Sequence, residues 1–230
     1  SLELIGSFSG HNATERVLSS PDVDVFAAPV SYIPMTDRLS GGAAAAMGAV
    51  DSVVLHNKLW LNEEDMRTHL ISKEELPPWL SFEAFGEPTK SAMETKNLLS
   101  RNLGFAYIHR VGTWWMDLIA AGAFDDPSLW QDVMKQIGKN SYATLYEDPF
   151  PYWPEVAVIV DENSWHYVRS DYDVFVNCGA LFRNNLEKVG ASVGYYYLGD
   201  FLNHKVPRAK VYVFPNLFVA DEKTSNDIIK

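Results

Sequence analysis

The chain has 230 residues, of which 47% are hydrophobic and 21% charged, an ordinary balance for a globular protein with a sizeable core. A formal net charge of −11 repels phosphate backbones and anionic lipid, which argues against nucleic-acid and membrane-surface partners. One cysteine, Cys178, excludes an internal disulfide and a cysteine-based zinc site, and the apolar runs around Val23 to Val30 and Val156 to Val160 are far too short to span a bilayer.

In chain order, Leu2 to Phe8 reads as a strand and Asn12 to Leu18 as a helix. Val23 to Ala28 (VDVFAA) is a buried strand, and the long loop after it holds Tyr32, Pro34, Asp37, Arg38 and Gly41-Gly42. Ala43 to His56 is loop then helix. Leu59 to Leu61 is a short strand that ends in Asn62-Glu63-Glu64-Asp65. Pro77-Pro78 and Gly86 punctuate a loop from Ile71 to Pro88. Thr89 to Leu103 is helical from a threonine cap, and Gly104 to Ile108 follows as a strand. Helical Ser128 to Leu145 and the prolines 149, 151 and 154 then form a linker, dividing residues 1–150 from 151–230.

The second part has β-α-β-α-β rhythm. Val156 to Val160 is an apolar strand, Tyr172 to Val189 a helix, and Val193 to Leu198 and Val211 to Phe214 are strands. A further helix begins as the chain reaches Lys230, so a doubly wound domain of about five strands is incomplete here. No G-x-G-x-x-G or P-loop follows its first strand, and Asp161-Glu162-Asn163-Ser164 stands there instead, which disfavours a dinucleotide cofactor. Cys178 falls inside the expected helix as a packing residue.

Successive strand–helix units imply a parallel sheet, and chemistry gathers at the carboxyl ends of such strands. Those ends carry Ser9-Gly10-His11, Pro29 to Tyr32, Asn62 to Asp65, and His109 through Asp117. Glu63 is the leading catalytic candidate. A carboxylate on a strand end is held by rigid backbone, as a nucleophile or general acid requires, although the same acidic run also suits a helix cap. Trp114-Trp115 offers one indole to stack on a pyranose ring while the other packs inside, and Asp117 offers a hydroxyl acceptor. Two core tryptophans with an exposed acid is the plainer alternative. The six histidines are scattered, so no metal is expected.

Four segments together resemble the family 42 β-galactosidase-like glycoside hydrolases: Ser20 to Tyr32, Val50 to Leu70, Trp114 to Leu118 with Phe124 to Pro127, and Glu155 to Ser164. The most specific part is Lys58-Leu59-Trp60 followed by Glu63, Asp65, Arg67 and Thr68. The resemblance implies an α/β chain made of the late strands of a (β/α) barrel, followed by the start of a flavodoxin-like, glutamine-amidotransferase-like domain. Glu63 would be the nucleophile of a retaining mechanism at the end of the seventh barrel strand. Asp65 and Arg67 would position or tune it, while Tyr32, Trp114, Trp115 and Asp117 line the sugar site. The substrate would be a carbohydrate of β-galactoside type, with no cofactor, and the second domain would support a homo-oligomer, a trimer in relatives. The family's general acid, a glutamate after the fourth strand, would lie before Ser1, and its loss would slow an unactivated glycoside by roughly 10²–10⁴-fold. A non-catalytic carbohydrate-binding or assembly module is the alternative. The sugar, linkage and compartment stay open.

Overall fold

A computed structural model describes residues 12–32, 38, 45–72, 87–118, 120–142, 152–168 and 172–229. The strand expected at Leu2 to Phe8, its Ser9 to His11 rim, and Asp37 and Gly41-Gly42 lie outside the described residues. Among the described residues the architecture is α/β with two three-stranded parallel sheets. Two compact units share the chain: Ser1–Phe26, Ala46–Trp60 and Tyr152–Lys230 in one, Ala27–Ala45 and Leu61–Pro151 in the other.

The first sheet comprises β1 (Val25–Pro29), β2 (Leu59–Glu64) and β3 (Gly112–Trp115). β2 runs parallel to β3, with Glu63 beside Trp114 and Glu64 beside Trp115. Where the sequence suggests a strand ending at Leu61, β2 continues through Asn62, Glu63 and Glu64, so the acidic run is mostly strand rather than rim or helix cap.

The strand expected after Leu103 is absent. Gly104 to Ile108 is not a strand but the last part of a 17-residue helix, Ala92–Ile108. Its buried positions Thr95, Leu98, Leu99, Asn102, Leu103 and Ala106 keep helical spacing straight through that segment. Gly104 does not break the helix, and space for a Cβ is open there. The helix starts at Ser91, not Thr89: the Ser91 side chain accepts from the Glu94 amide, while Glu94 accepts from the Lys90 amide. The chain turns at His109 and Arg110, the latter at φ 56°, and β3 begins only at Gly112.

Behind this sheet, Leu98, Leu99 and Leu103 pack with Met66, Ile71, Ala123, Phe124 and Val133. Val133 belongs to the helix Pro127–Tyr142, close to the helix expected there.

In the other unit, β4 (Val156–Val160) lies between β5 (Val193–Tyr197) and β6 (Val211–Val213), parallel to both. β5 is buried along its whole length. Its free edge is closed by a helix, Val50–Leu55, rather than by another strand. Asp51 accepts from the Tyr195 amide at 2.7 Å and Ser52 from the Tyr197 amide at 2.8 Å, so the exposed edge of the ladder is satisfied. The single helix expected over Tyr172 to Val189 is instead three pieces: α-helical Tyr172–Phe175, a π-helical turn Val176–Leu181 and α-helical Phe182–Leu186. Cys178 sits in the π turn and is half-buried, not a core residue.

Candidate functional site

Glu63 is the penultimate residue of β2, and the neighbouring strands grip its backbone. The Val30 amide donates to the Glu63 carbonyl and the Met116 amide to that of Glu64. Side chains alternate across a strand, so the two glutamates point to opposite faces. Glu64 is fully buried on the helix side, where Asn102 donates to its carboxylate. Trp115 shares that side: it packs against the leucine-rich core and meets Trp130 edge-on, with ring centroids 4.9 Å apart. Glu63 and Trp114 share the other face, and Trp114 is 37% exposed there. The tryptophan pair therefore divides into one packing indole and one available indole.

Immediately after β2 the chain builds a buried charged cluster. Asp65 accepts from the Tyr32 hydroxyl and forms an ion pair with Arg38, whose guanidinium also lies 4.4 Å from the centre of the Tyr32 ring. Arg101 fixes the loop by donating to the Arg38 carbonyl at 2.9 Å. Arg67 is buried beside the same group, and that burial pushes its guanidinium below the usual arginine value while the Asp65 charge opposes the change. Burial, reinforced by the Asp65 carboxylate and opposed by Arg38, holds Glu63 above the ordinary carboxylate range. Burial and the neighbouring Asp65 likewise raise the Tyr32 hydroxyl, so it stays protonated and donating.

Asp117 is bonded within the loop that follows β3. Its two carboxylate oxygens accept from the backbone amides of Ala121, Gly122 and Ala123, at 3.1, 2.7 and 3.3 Å. The side chain organises the loop after β3, with Gly122 at φ 79° completing the turn. Tyr32, Glu63, Asp65, Arg67 and Trp114 thus gather around the end of β2, whereas Trp115 faces the core and Asp117 serves its own loop. Arg38 joins this cluster although the sequence reads it as part of a long loop. Its signal was an arginine six residues after Tyr32 in a loop leaving a sheet edge, and only the fold shows that it is buried.

Among the described residues no group of three or more His, Cys, Asp or Glu side chains is arranged to hold a metal ion, and no helix is long and apolar enough to cross a membrane. No protein-family model, curated protein or solved structure matches this chain.

Proposed function

We propose that the β1–β3 unit is the carboxyl-terminal portion of a glycoside-cleaving (β/α) barrel, with Glu63 as the nucleophile of a retaining reaction on β-galactoside-type sugars. One observation carries the reading: a half-buried carboxylate on a rigid strand shares its face with an exposed indole and stands beside the buried Asp65–Arg38 pair. The indole face stacks on the apolar side of a pyranose ring and orients the anomeric carbon. Glu63 then attacks that carbon as its bond to the leaving-group oxygen breaks, that oxygen takes its proton from solvent, and water later hydrolyses the glycosyl ester, releasing the sugar and the Glu63 carboxylate. Asp65, immobilised by Tyr32 and Arg38, holds the field around the nucleophile constant, and Arg67, buried beside the same group, tunes that field. In the other unit, the order β5-β4-β6 corresponds to the 2-1-3 start of a flavodoxin-like sheet and supports that assignment.

An activated aryl β-galactoside tests the proposal, because its leaving group needs little protonation. Turnover should fall at least 10²-fold in Glu63→Gln, and a 2-fluoro glycoside should label Glu63 covalently. Equal rates for the two proteins would defeat the proposal. The exposure of Trp114 also favours a second reading, a carbohydrate-binding module without turnover. That reading requires saturable sugar binding that is lost in Trp114→Ala and retained in Glu63→Gln.

A further inference from the structure

Glu64 is a fully buried acid that the proposed reaction does not use. It stands on the helix side of β2, while the next residue, Asp65, belongs to the charged cluster beside Glu63. Its Oε1 is buried with no hydrogen-bond partner among the described residues, so a carboxylate costs stability here. A glutamine would fill the same space without a charge. Packing therefore gives no reason for an acid at this position. The hydrogen bonds around it do.

Those bonds form one continuous chain within a single compact unit. Asn102, on the helix Ala92–Ile108, donates its amide NH2 to the Glu64 carboxylate, and Met66 Sδ accepts from the same nitrogen at 3.4 Å. The Asn102 side-chain oxygen accepts from Arg101 Nε at 3.0 Å. A terminal nitrogen of the same Arg101 guanidinium donates to the Arg38 backbone carbonyl at 2.9 Å. The Arg38 guanidinium in turn holds Asp65, which also accepts from the Tyr32 hydroxyl. Arg38 and Asp65 act on the Glu63 carboxyl with opposite signs, so their placement sets its environment.

Glu64 dictates the direction of this chain. An ionised carboxylate only accepts, so it makes Asn102 turn its NH2 toward β2 and its oxygen toward Arg101. That oxygen engages Nε and leaves the rest of the fork aimed at the Arg38 carbonyl. A protonated carboxyl, or an amide in its place, both donates and accepts, and Asn102 is then free to reverse. Its NH2 would face the Arg101 donors, and the bond that aligns the fork would be lost. Burial pushes the Glu64 carboxyl up to about 7, with Asn102, Arg38 and Arg101 opposing the rise and Asp65 adding to it. Trp115, its register partner on β3, brings no charge. The reversal therefore falls near neutral pH.

We propose that Glu64 is a positioning residue for the site at Glu63: through Asn102 and Arg101, its carboxylate fixes the Arg38 loop and so the Asp65–Arg38 pair. The consequence for catalysis rests on the glycosidase reading, whereas the link from Glu64 to Arg38 does not. NMR on the whole chain tests that link, following the Arg38 Nε–H signal between pH 5 and 8.5 with the Glu64 carboxyl carbon as reference. In the parent the Arg38 signal should step at the Glu64 midpoint, and Glu64→Gln should abolish the step. Arg101→Lys keeps the positive charge but has no fork to span both acceptors. It should cut the step at least threefold while Glu64 still ionises. Asn102→Leu breaks the chain one bond earlier and gives the same test where Arg101→Lys does not fold. On an activated aryl β-galactoside at pH 8, Glu64→Gln should lower kcat at least threefold and leave KM within twofold. A parent without turnover counts against the glycosidase reading alone, and the Arg38 spectra still decide the relay. The inference is overturned by an Arg38 signal that ignores Glu64 ionisation, by a step that survives Glu64→Gln, by a full step in folded Arg101→Lys or Asn102→Leu protein, or by unchanged kcat in Glu64→Gln of an active parent.

Discussion

Asp65→Ala is the most informative stability perturbation of the candidate active site. The Arg38 and Asp65 side chains are 4% and 2% exposed, so both charges are withdrawn from water and depend on each other. Deleting one partner of a buried pair leaves an uncompensated charge and costs about 3–5 kcal/mol. The Tyr32 hydroxyl loses its acceptor as well, and Arg67 loses the neighbouring negative charge. A net loss of about 4 kcal/mol, with a urea slope of about 2 kcal/mol per molar, lowers the midpoint by roughly 2 M. The assay is equilibrium urea denaturation followed by tryptophan fluorescence. Arg38 Nε has no hydrogen-bond partner, so the pair is imperfectly solvated by protein, and the double replacement Arg38→Met with Asp65→Leu should cost less than the sum of the singles. A midpoint shift below about 0.5 M for Asp65→Ala, or singles that add to the double within about 0.5 kcal/mol, would refute the reasoning.

Three further outcomes are expected. Burial pushes the Glu64 carboxyl up to about 7 from an ordinary 4.5, with Asn102 opposing the rise. The folded state therefore holds the proton more tightly, and the associated stability is complete below about pH 4.5 and lost as pH rises through 7. Glu64→Gln should flatten that decline and stabilise the protein at pH 8 by roughly 2–3 kcal/mol, which denaturation midpoints between pH 5 and 8 will measure. Trp115→Ala should destabilise by about 3 kcal/mol, because its indole packs against the core, whereas Trp114→Ala should change stability by less than about 1 kcal/mol while abolishing sugar binding. Thermal melts and sugar titrations of the two variants, compared directly, check this. Gly194→Ala should cost about 1–3 kcal/mol, because its Cβ would fall 2.7 Å from Tyr196 and 2.9 Å from Pro154. An unchanged melting temperature would show that β5 has slack.

Local chemistry made much of this molecule legible. The strands at Val25–Pro29, Val156–Val160, Val193–Tyr197 and Val211–Val213 lie where apolar runs bounded by turn residues place them. The Gly104 to Ile108 segment resembles a strand in the sequence because FAYI is apolar on either period. Its helical character shows only when its positions are aligned with Thr95, Leu98 and Asn102 on the face that meets the leucine core. An acid after two tryptophans offers a hydroxyl acceptor in the sequence, and nothing local shows that three backbone amides fold back onto Asp117.

The sequence by itself determined that this chain is an α/β protein and that Glu63 follows closely on the short strand begun at Leu59, since period and composition act over a few residues. Only the tertiary structure decided which face each side chain takes. The register of β2 on β3 puts Glu63 with Trp114 and Glu64 with Trp115, and a one-residue slip would exchange both pairs. It also decided which charges are buried. Arg38 meets Asp65 across 27 positions of chain, and Glu15 meets Glu162 across 147. Burial and long-range pairing are set by how layers pack, and no local pattern encodes them.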